Sequence, residues 1–256
     1  MRNGSNIKEN FWEVSGYNKG GGDYMSVSLI IPAFNEESII EQNIYIAMQF
    51  MCKNFSDYEV IVVDDGSSDK TVEFLTKTGA TGIALGKNYG KGAAIKSAML
   101  YCDSDYIFFT DADLPYPLDF ILRGIDALQT FDVVCGRRFG KYPFGRRVMS
   151  TTYNYVAGAI LNMDANDLQC GIKGFTKNAG HNIFSRCRMD GFAFDTEAVF
   201  IANQLGYKIS SIDVPVSHRI NSKVNVARDS LEMLADLIKI RRRFEKGEYN
   251  LQKIFY

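Results

Sequence analysis

The segment Val60-Ile61-Val62-Val63-Asp64-Asp65-Gly66-Ser67-Ser68-Asp69 passes directly from an unbroken apolar run to two acids, a glycine and a row of residues that cap helices. An apolar run this short, ended by turn residues, reads as a strand buried on both faces. Ser68 or Asp69 then caps the helix that follows. A buried strand running through a glycine turn into a helix is half of a βαβ unit.

The same order recurs on either side. Short runs rich in β-branched and aromatic residues lie at 27–31, 106–109 and 133–135, and helical patterns at 37–52, 69–77 and 90–102. Strand and helix in alternation predict an α/β class with a mostly parallel, Rossmann-like sheet flanked by helices. After Gly136 the strand signals thin out, while 145–161, 195–204 and 226–243 read as helices, so the second half is expected to form a helical cap. The expected layout is an N-terminal arm over 1–25 containing Gly20-Gly21-Gly22, one domain over 26–244, and a C-terminal tail over 245–256.

Composition narrows the function. The chain has 256 residues, 46% of them hydrophobic and 23% charged, with a net charge of −1. Binding to nucleic acid depends on neutralising phosphates, which this balance does not favour, so no nucleic-acid partner is expected. Cys52, Cys102, Cys135, Cys170 and Cys187 are widely spaced and form no Cys-x-x-Cys pair, consistent with reduced thiols and a cytoplasmic location. No run of apolar residues is long enough to span a bilayer, and the N-terminus lacks the shape of an export signal, so membrane contact is expected to be peripheral.

Ligands of open α/β sheets bind beyond the carboxyl ends of the strands, and polar residues gather there: Asn35 and Glu36 after the first run, Asp64 and Asp65 after the second, Asp111 and Asp113 after the third. Two carboxylates one residue apart after a buried strand can face one hard divalent cation, Mg²⁺ or Mn²⁺, whose open positions would take the oxygens of a diphosphate. The alternative is a simple turn, since Pro115 and Pro117 follow. Asp64 and Asp65 should repel unless a ligand or cation engages them. Gly90 and Gly92 permit close backbone approach to a ligand, Lys91 adds positive charge, and a helix N-terminus follows.

The ordered series Ile30-Ile31-Pro32-Ala33-Phe34-Asn35-Glu36, Val63-Asp64-Asp65-Gly66-Ser67, Asn88-Tyr89-Gly90-Lys91-Gly92 and Asp111-Ala112-Asp113 resembles the family 2 glycosyltransferases of the GT-A fold. The resemblance implies a nucleotide-sugar donor held by Pro32, Asn35, Glu36, Asp64, Asp65, Lys91 and Asp111, a metal on Asp111 and Asp113, and inversion at the anomeric carbon. Mannose synthases acting on lipid phosphates commonly continue the metal motif with Leu-Gln; here it continues Leu114-Pro115, which lacks the third metal-side ligand that pattern could offer.

Gly136-Arg137-Arg138-Phe139 and Arg146-Arg147-Val148-Met149-Ser150 resemble the lipid-phosphate region of dolichyl- and polyprenyl-phosphate sugar synthases. The segments 167–175 and 192–197, and Val214-Pro215-Val216, look closest to the glucosyltransferase branch. This implies UDP-glucose as donor, with GDP-mannose as the alternative, and a polyprenyl-phosphate acceptor bound by Arg138, Arg146 and Ser150. Arg146 and Ser150 are spaced to share a helix face, independently of the resemblance. A glycan or cell-wall hydroxyl is the other acceptor class. Asp195 is the expected catalytic carboxylate, either as base or as orienting group. His218 could complete a metal site, and residues 226–243 could pack on the core or touch a lipid surface.

Overall fold

The computed structural model describes residues 25–75, 77–140, 144–164, 167–216 and 226–251, with backbone alone for 144–149 and 226–233. The expected arm therefore lies outside the described residues except for Met25, and so does His218.

In chain order the elements are β1 (Ser26–Ala33), α1 (Ile40–Asn54), β2 (Asp57–Asp64), α2 (Thr71–Leu75), β3 (Thr81–Ala84), α3 (Lys91–Tyr101), β4 (Tyr106–Phe109) and α4 (Phe120–Leu128). They continue with β5 (Val133–Phe139), α5 (Phe144–Leu161), β6 (Lys173–Thr176), α6 (Lys177–Phe184), α7 (Phe194–Gln204), β7 (Ile209–Pro215) and α8 (Val226–Glu245). One sheet runs in the order β3-β2-β1-β4-β6-β5-β7. All of its pairings are parallel except those of β6, which is antiparallel to both β4 and β5. The α/β class and mostly parallel sheet expected from the alternation are present.

The alternating pleat divides the core. Ile30, Ile61, Ile107 and Phe109 point to one face, under α3, α6 and α7. Leu29, Ile31, Val62 and Phe108 point to the other, under α1 and α4. Because both faces are covered, these strands carry no polar alternation, which is why they read as unbroken apolar runs.

The second half is more than a cap. It supplies β6 and β7 to the sheet, whereas the sequence pattern pointed mainly to helices there. Lys173-Gly174-Phe175-Thr176 is short and opens on a charge, and Ile209–Pro215 is an edge strand with Ser210, Ser211 and Asp213 interleaved, so neither gives a long apolar run. In α8, Leu237 and Ile240 are fully buried while Ile238 is exposed, and the helix packs on α5. Core packing therefore accounts for Leu237 and Ile240. Tyr249, beyond the boundary expected at 244, is buried against Phe200.

Candidate functional site

The loops after β1 and β2 are tied together by their polar residues. Asn35 has φ 54°, a left-handed conformation that asparagine tolerates better than most residues. Its amide donates to Ser67 Oγ at 2.8 Å, and its Oδ1 accepts from the Ser68 amide at 2.8 Å. The Glu36 amide donates to Thr71 Oγ1 at 2.8 Å. Pro32, within β1, sits opposite Val63.

Asp64 and Asp65 are both buried, and the protein itself engages them. Asp64 Oδ2 accepts from the amides of Gly66 at 3.0 Å and Ser67 at 3.1 Å, building the turn. Asp65 accepts from the amides of Tyr89 and Gly90, each at 2.8 Å, and so fastens the Gly90 loop to the end of β2. The expectation that only a ligand or cation would reconcile these adjacent acids is corrected: backbone N–H groups do so, because a carboxylate accepts several such bonds. Gly90 has φ 106°, and a Cβ there would strike the carbonyl of Asp190. That carbonyl accepts from the Gly92 amide at 2.7 Å and the Ala93 amide at 3.3 Å. The N-terminus of α3, expected to be open to an anion, is thus already capped in part.

Lys91 crosses from α3 to the loop after β4, where its Nζ lies 2.5 Å from Asp111 Oδ1. Burial disfavours its charge, but Asp111, Asp195 and Asp113 outweigh that and hold the ammonium above its ordinary value. The Asp111-Ala112-Asp113 turn is anchored from α1, where Asn43 Nδ2 donates to the Ala112 carbonyl at 2.8 Å. Gly171 closes the other side: a Cβ on it would overlap the Asp111 carboxylate.

Asp195, in the first turn of α7, is nearly buried and accepts at Oδ1 from Lys173 Nζ at 2.6 Å. Burial pushes its carboxyl upward, Lys173 and then Lys91 pull it back, and Asp111 adds to the rise. Asp111, Asp113 and Asp195 therefore share one electrostatic neighbourhood around Lys91.

Of the residues expected to hold the acceptor phosphate, the structure joins Arg138 to Ser150, with Nη2 donating to Oγ at 3.0 Å. It also gives Arg138 a partner the sequence did not suggest. Asp167 accepts from Arg138 Nε at 2.9 Å and from Nη2 at 2.5 Å, and from the Arg138 amide at 2.7 Å. Arg137 turns away to an exposed pair with Asp213. Arg146 lies one turn before Ser150 on α5, with its side chain outside the described residues.

Lys173, Asp167 and Glu197 are the residues that sequence reasoning did not single out. The available signal was an ionisable residue beside buried apolar neighbours, as in Cys170-Gly171-Ile172-Lys173-Gly174-Phe175.

Residues 28–185 match the sequence profile of Glycosyl transferase family 2. The chain belongs to that family. As a family 2 glycosyltransferase it transfers a sugar from an activated donor, and its sheet-edge carboxylates lie where the fold binds ligands. It is 27% identical to the dolichyl-phosphate beta-glucosyltransferase of Dictyostelium discoideum over 92% of this chain and 80% of that one. The enzyme of the same name from Homo sapiens is 28% identical over 89% of this chain and 78% of that one. The fold matches glucosyl-3-phosphoglycerate synthase from Mycobacterium tuberculosis, solved with Mn²⁺, UDP-glucose and phosphoglyceric acid. There the TM-score is 0.68 at 19% identity, covering 85% of this chain and 80% of that one. The same synthase solved with Mg²⁺ and UDP also gives 0.68.

Proposed function

We propose that this family 2 glycosyltransferase moves glucose from UDP-glucose to a polyprenyl or dolichyl phosphate at a membrane surface on the cytoplasmic side, with inversion at the anomeric carbon. The observation that carries the reading is the cluster Lys91, Asp111, Asp113 and Asp195 at the sheet edge, beside Arg138 and Ser150, in a chain aligned along most of its length with dolichyl-phosphate glucosyltransferases.

In this reading Pro32, Asn35, Glu36, Asp64 and Asp65 shape the base and ribose end of the donor pocket, with Asp64 and Asp65 acting mainly by holding its loops. Asp111 and Asp113 fit a hard cation: both are carboxylates on one turn, anchored by Asn43. That suits Mg²⁺ or Mn²⁺, which commonly complete their shells with water and substrate phosphates. Such an ion supplies neutralisation of the diphosphate leaving group. Lys91 carries positive charge to the same place and stays protonated there.

The acceptor oxygen attacks the anomeric carbon as the bond from that carbon to the diphosphate oxygen breaks. A phosphate monoester, with a second pKa of about 6, is already an anion at neutral pH, so Asp195 need not remove a proton and serves to orient the reacting groups. Ser150 accepts from Arg138 through Oγ, which leaves its hydroxyl hydrogen for the phosphate. Among the described residues no helix is long and apolar enough to cross a membrane. Phe139, Tyr89 and Phe192 are exposed aromatic side chains in segments at or beside the sheet's carboxyl edge, and in this reading they meet the lipid surface.

The direct test is transfer of label from UDP-glucose and from GDP-mannose to a short-chain polyprenyl phosphate, with Mn²⁺ or Mg²⁺ and again with a chelator. Chelator-sensitive glucosyl lipid is expected. Donor hydrolysis without lipid product would redirect the acceptor to a glycan hydroxyl, and mannosyl lipid would replace the donor.

Arg138→Ala is expected to raise KM for the lipid phosphate by about tenfold, the scale of one charge-assisted contact, and to leave KM for UDP-glucose within about threefold. Equal changes in both constants would place Arg138 on the donor.

A further inference from the structure

Lys173 is fully buried, with 0% exposure, at the first position of β6. Because β6 runs antiparallel to its neighbours, this first residue lies beside Phe109 and Cys135 at the edge where β4 ends and the site begins. An ammonium in such a place is tolerable only when its protons are bonded. Its Nζ donates to the Leu168 carbonyl at 2.9 Å, the Cys170 carbonyl at 2.7 Å and Asp195 Oδ1 at 2.6 Å. Three donors meet three acceptors, so none is left for a substrate.

Those acceptors belong to two separate parts of the site. The carbonyls come from the turn that ends at Gly171, whose Cα stands against the Asp111 carboxylate, and Asp195 comes from the first turn of α7. Arg138 pins the same turn from its far end through Asp167. A buried ion pair is weak evidence for stability, since apolar residues of similar size often do as well or better. Its geometry is a better account of its presence. We propose that Lys173 is a positioning residue, setting the rotamer of Asp195 and the seat of the 167–171 turn together, so that both carboxylate positions are registered to one atom at the sheet edge. This rests on Asp195 standing at the reacting centre.

The test compares Lys173→Met, Lys173→Arg, Asp195→Asn and the double variant Lys173→Met/Asp195→Asn in the full chain, using UDP-glucose, Mn²⁺ and a short-chain polyprenyl phosphate. Lys173→Met is expected to lower kcat by about 100-fold, the scale of a displacement near 1 Å at a reacting centre, with KM for UDP-glucose within about threefold. Lys173→Arg should recover part of the loss. The double variant removes both charges and is expected to fold even where Lys173→Met does not. Its kcat should match that of Asp195→Asn within about threefold, because residues acting as a unit are not additive.

Losses that multiply, or a Lys173→Met enzyme with wild-type kcat and only a lower Tm, would overturn the positioning role while leaving Asp195 in place. An Asp195→Asn enzyme at full rate removes Asp195 from the reacting centre and the proposal with it. If the wild-type chain does not label the lipid, the acceptor reading falls separately, and the same four variants are read by UDP-glucose hydrolysis with the same two outcomes.

Discussion

Asp111→Ala is expected to reduce kcat by about 10³-fold or more at saturating donor, the scale of several kcal/mol of leaving-group stabilisation at about 1.4 kcal/mol per tenfold. Asp113→Ala should act in the same direction. The fold should survive, because Lys91 keeps Asp195 and Asp113 as counter-charges when Asp111 is removed. Two measurements separate the causes. Calorimetric titration of Mn²⁺ in the presence of UDP should show loss of tight metal binding, and thermal unfolding should show a midpoint near that of the wild-type chain. Unchanged turnover in Asp111→Ala would end the metal assignment.

That prediction concerns residues legible in the sequence, and the reason is topological. Asp64, Asp65, Asp111 and Asp113 follow parallel strands whose apolar runs mark where each strand ends, so the acids after them are placed at one edge before any coordinates exist. Lys173 was not legible in this way. It begins a strand rather than ending one, and it reaches the same edge only because β6 runs backwards, a direction no local pattern encodes. Internal partners were equally hidden: Asp65 is spoken for by amides more than twenty residues away, and Arg138 by Asp167. A sequence shows that a group is ionisable and where along an element it lies. Which of its bonds the protein has already made depends on loops meeting across the fold.

Helix α7 shows how this division shapes the site. Asp195 and Glu197 are two residues apart, so they point to different sides of the helix. Asp195 turns to Lys173, with Lys91 and Asp111 nearby. Glu197 turns inward, where Oε2 accepts from the amides of Arg188 and Met189, each at 2.8 Å, and Oε1 accepts from the Tyr249 hydroxyl at 2.7 Å. The next residue, Asp190, carries the carbonyl that caps α3 beside Lys91. One carboxylate thus connects the C-terminal segment to the loop that caps α3 beside Lys91.

Glu197→Leu should accordingly have the largest effect on stability. Glu197 is 0% exposed, and the substitution strands two amides and a hydroxyl, each costing about 1–3 kcal/mol when left unbonded. After partial relaxation a total of about 3–5 kcal/mol is expected, the range for breaking a buried charged network, or a fall in Tm of roughly 10 °C for a domain of this size. Glu197→Gln keeps an oxygen for the amides and an NH₂ for the tyrosine oxygen, so it should cost far less. Its pH dependence carries a definite sign. Burial raises the carboxyl of Glu197 above its ordinary 4.5, more than the bonds from Tyr249, Met189 and Arg188 and the charge of Arg243 lower it. A raised acid favours the folded state most below the unfolded value, and that contribution is lost as pH rises through the folded value. Tm of the wild-type chain relative to Glu197→Gln should therefore be highest at acid pH and decline on the alkaline side, whereas a difference that grows with pH would show that the network stabilises the charged form. In Glu197→Leu the slackened 188–190 loop should also raise KM for the donor while the Asp111 turn, anchored by Asn43, keeps its metal, so donor affinity and metal affinity should part company in this variant alone.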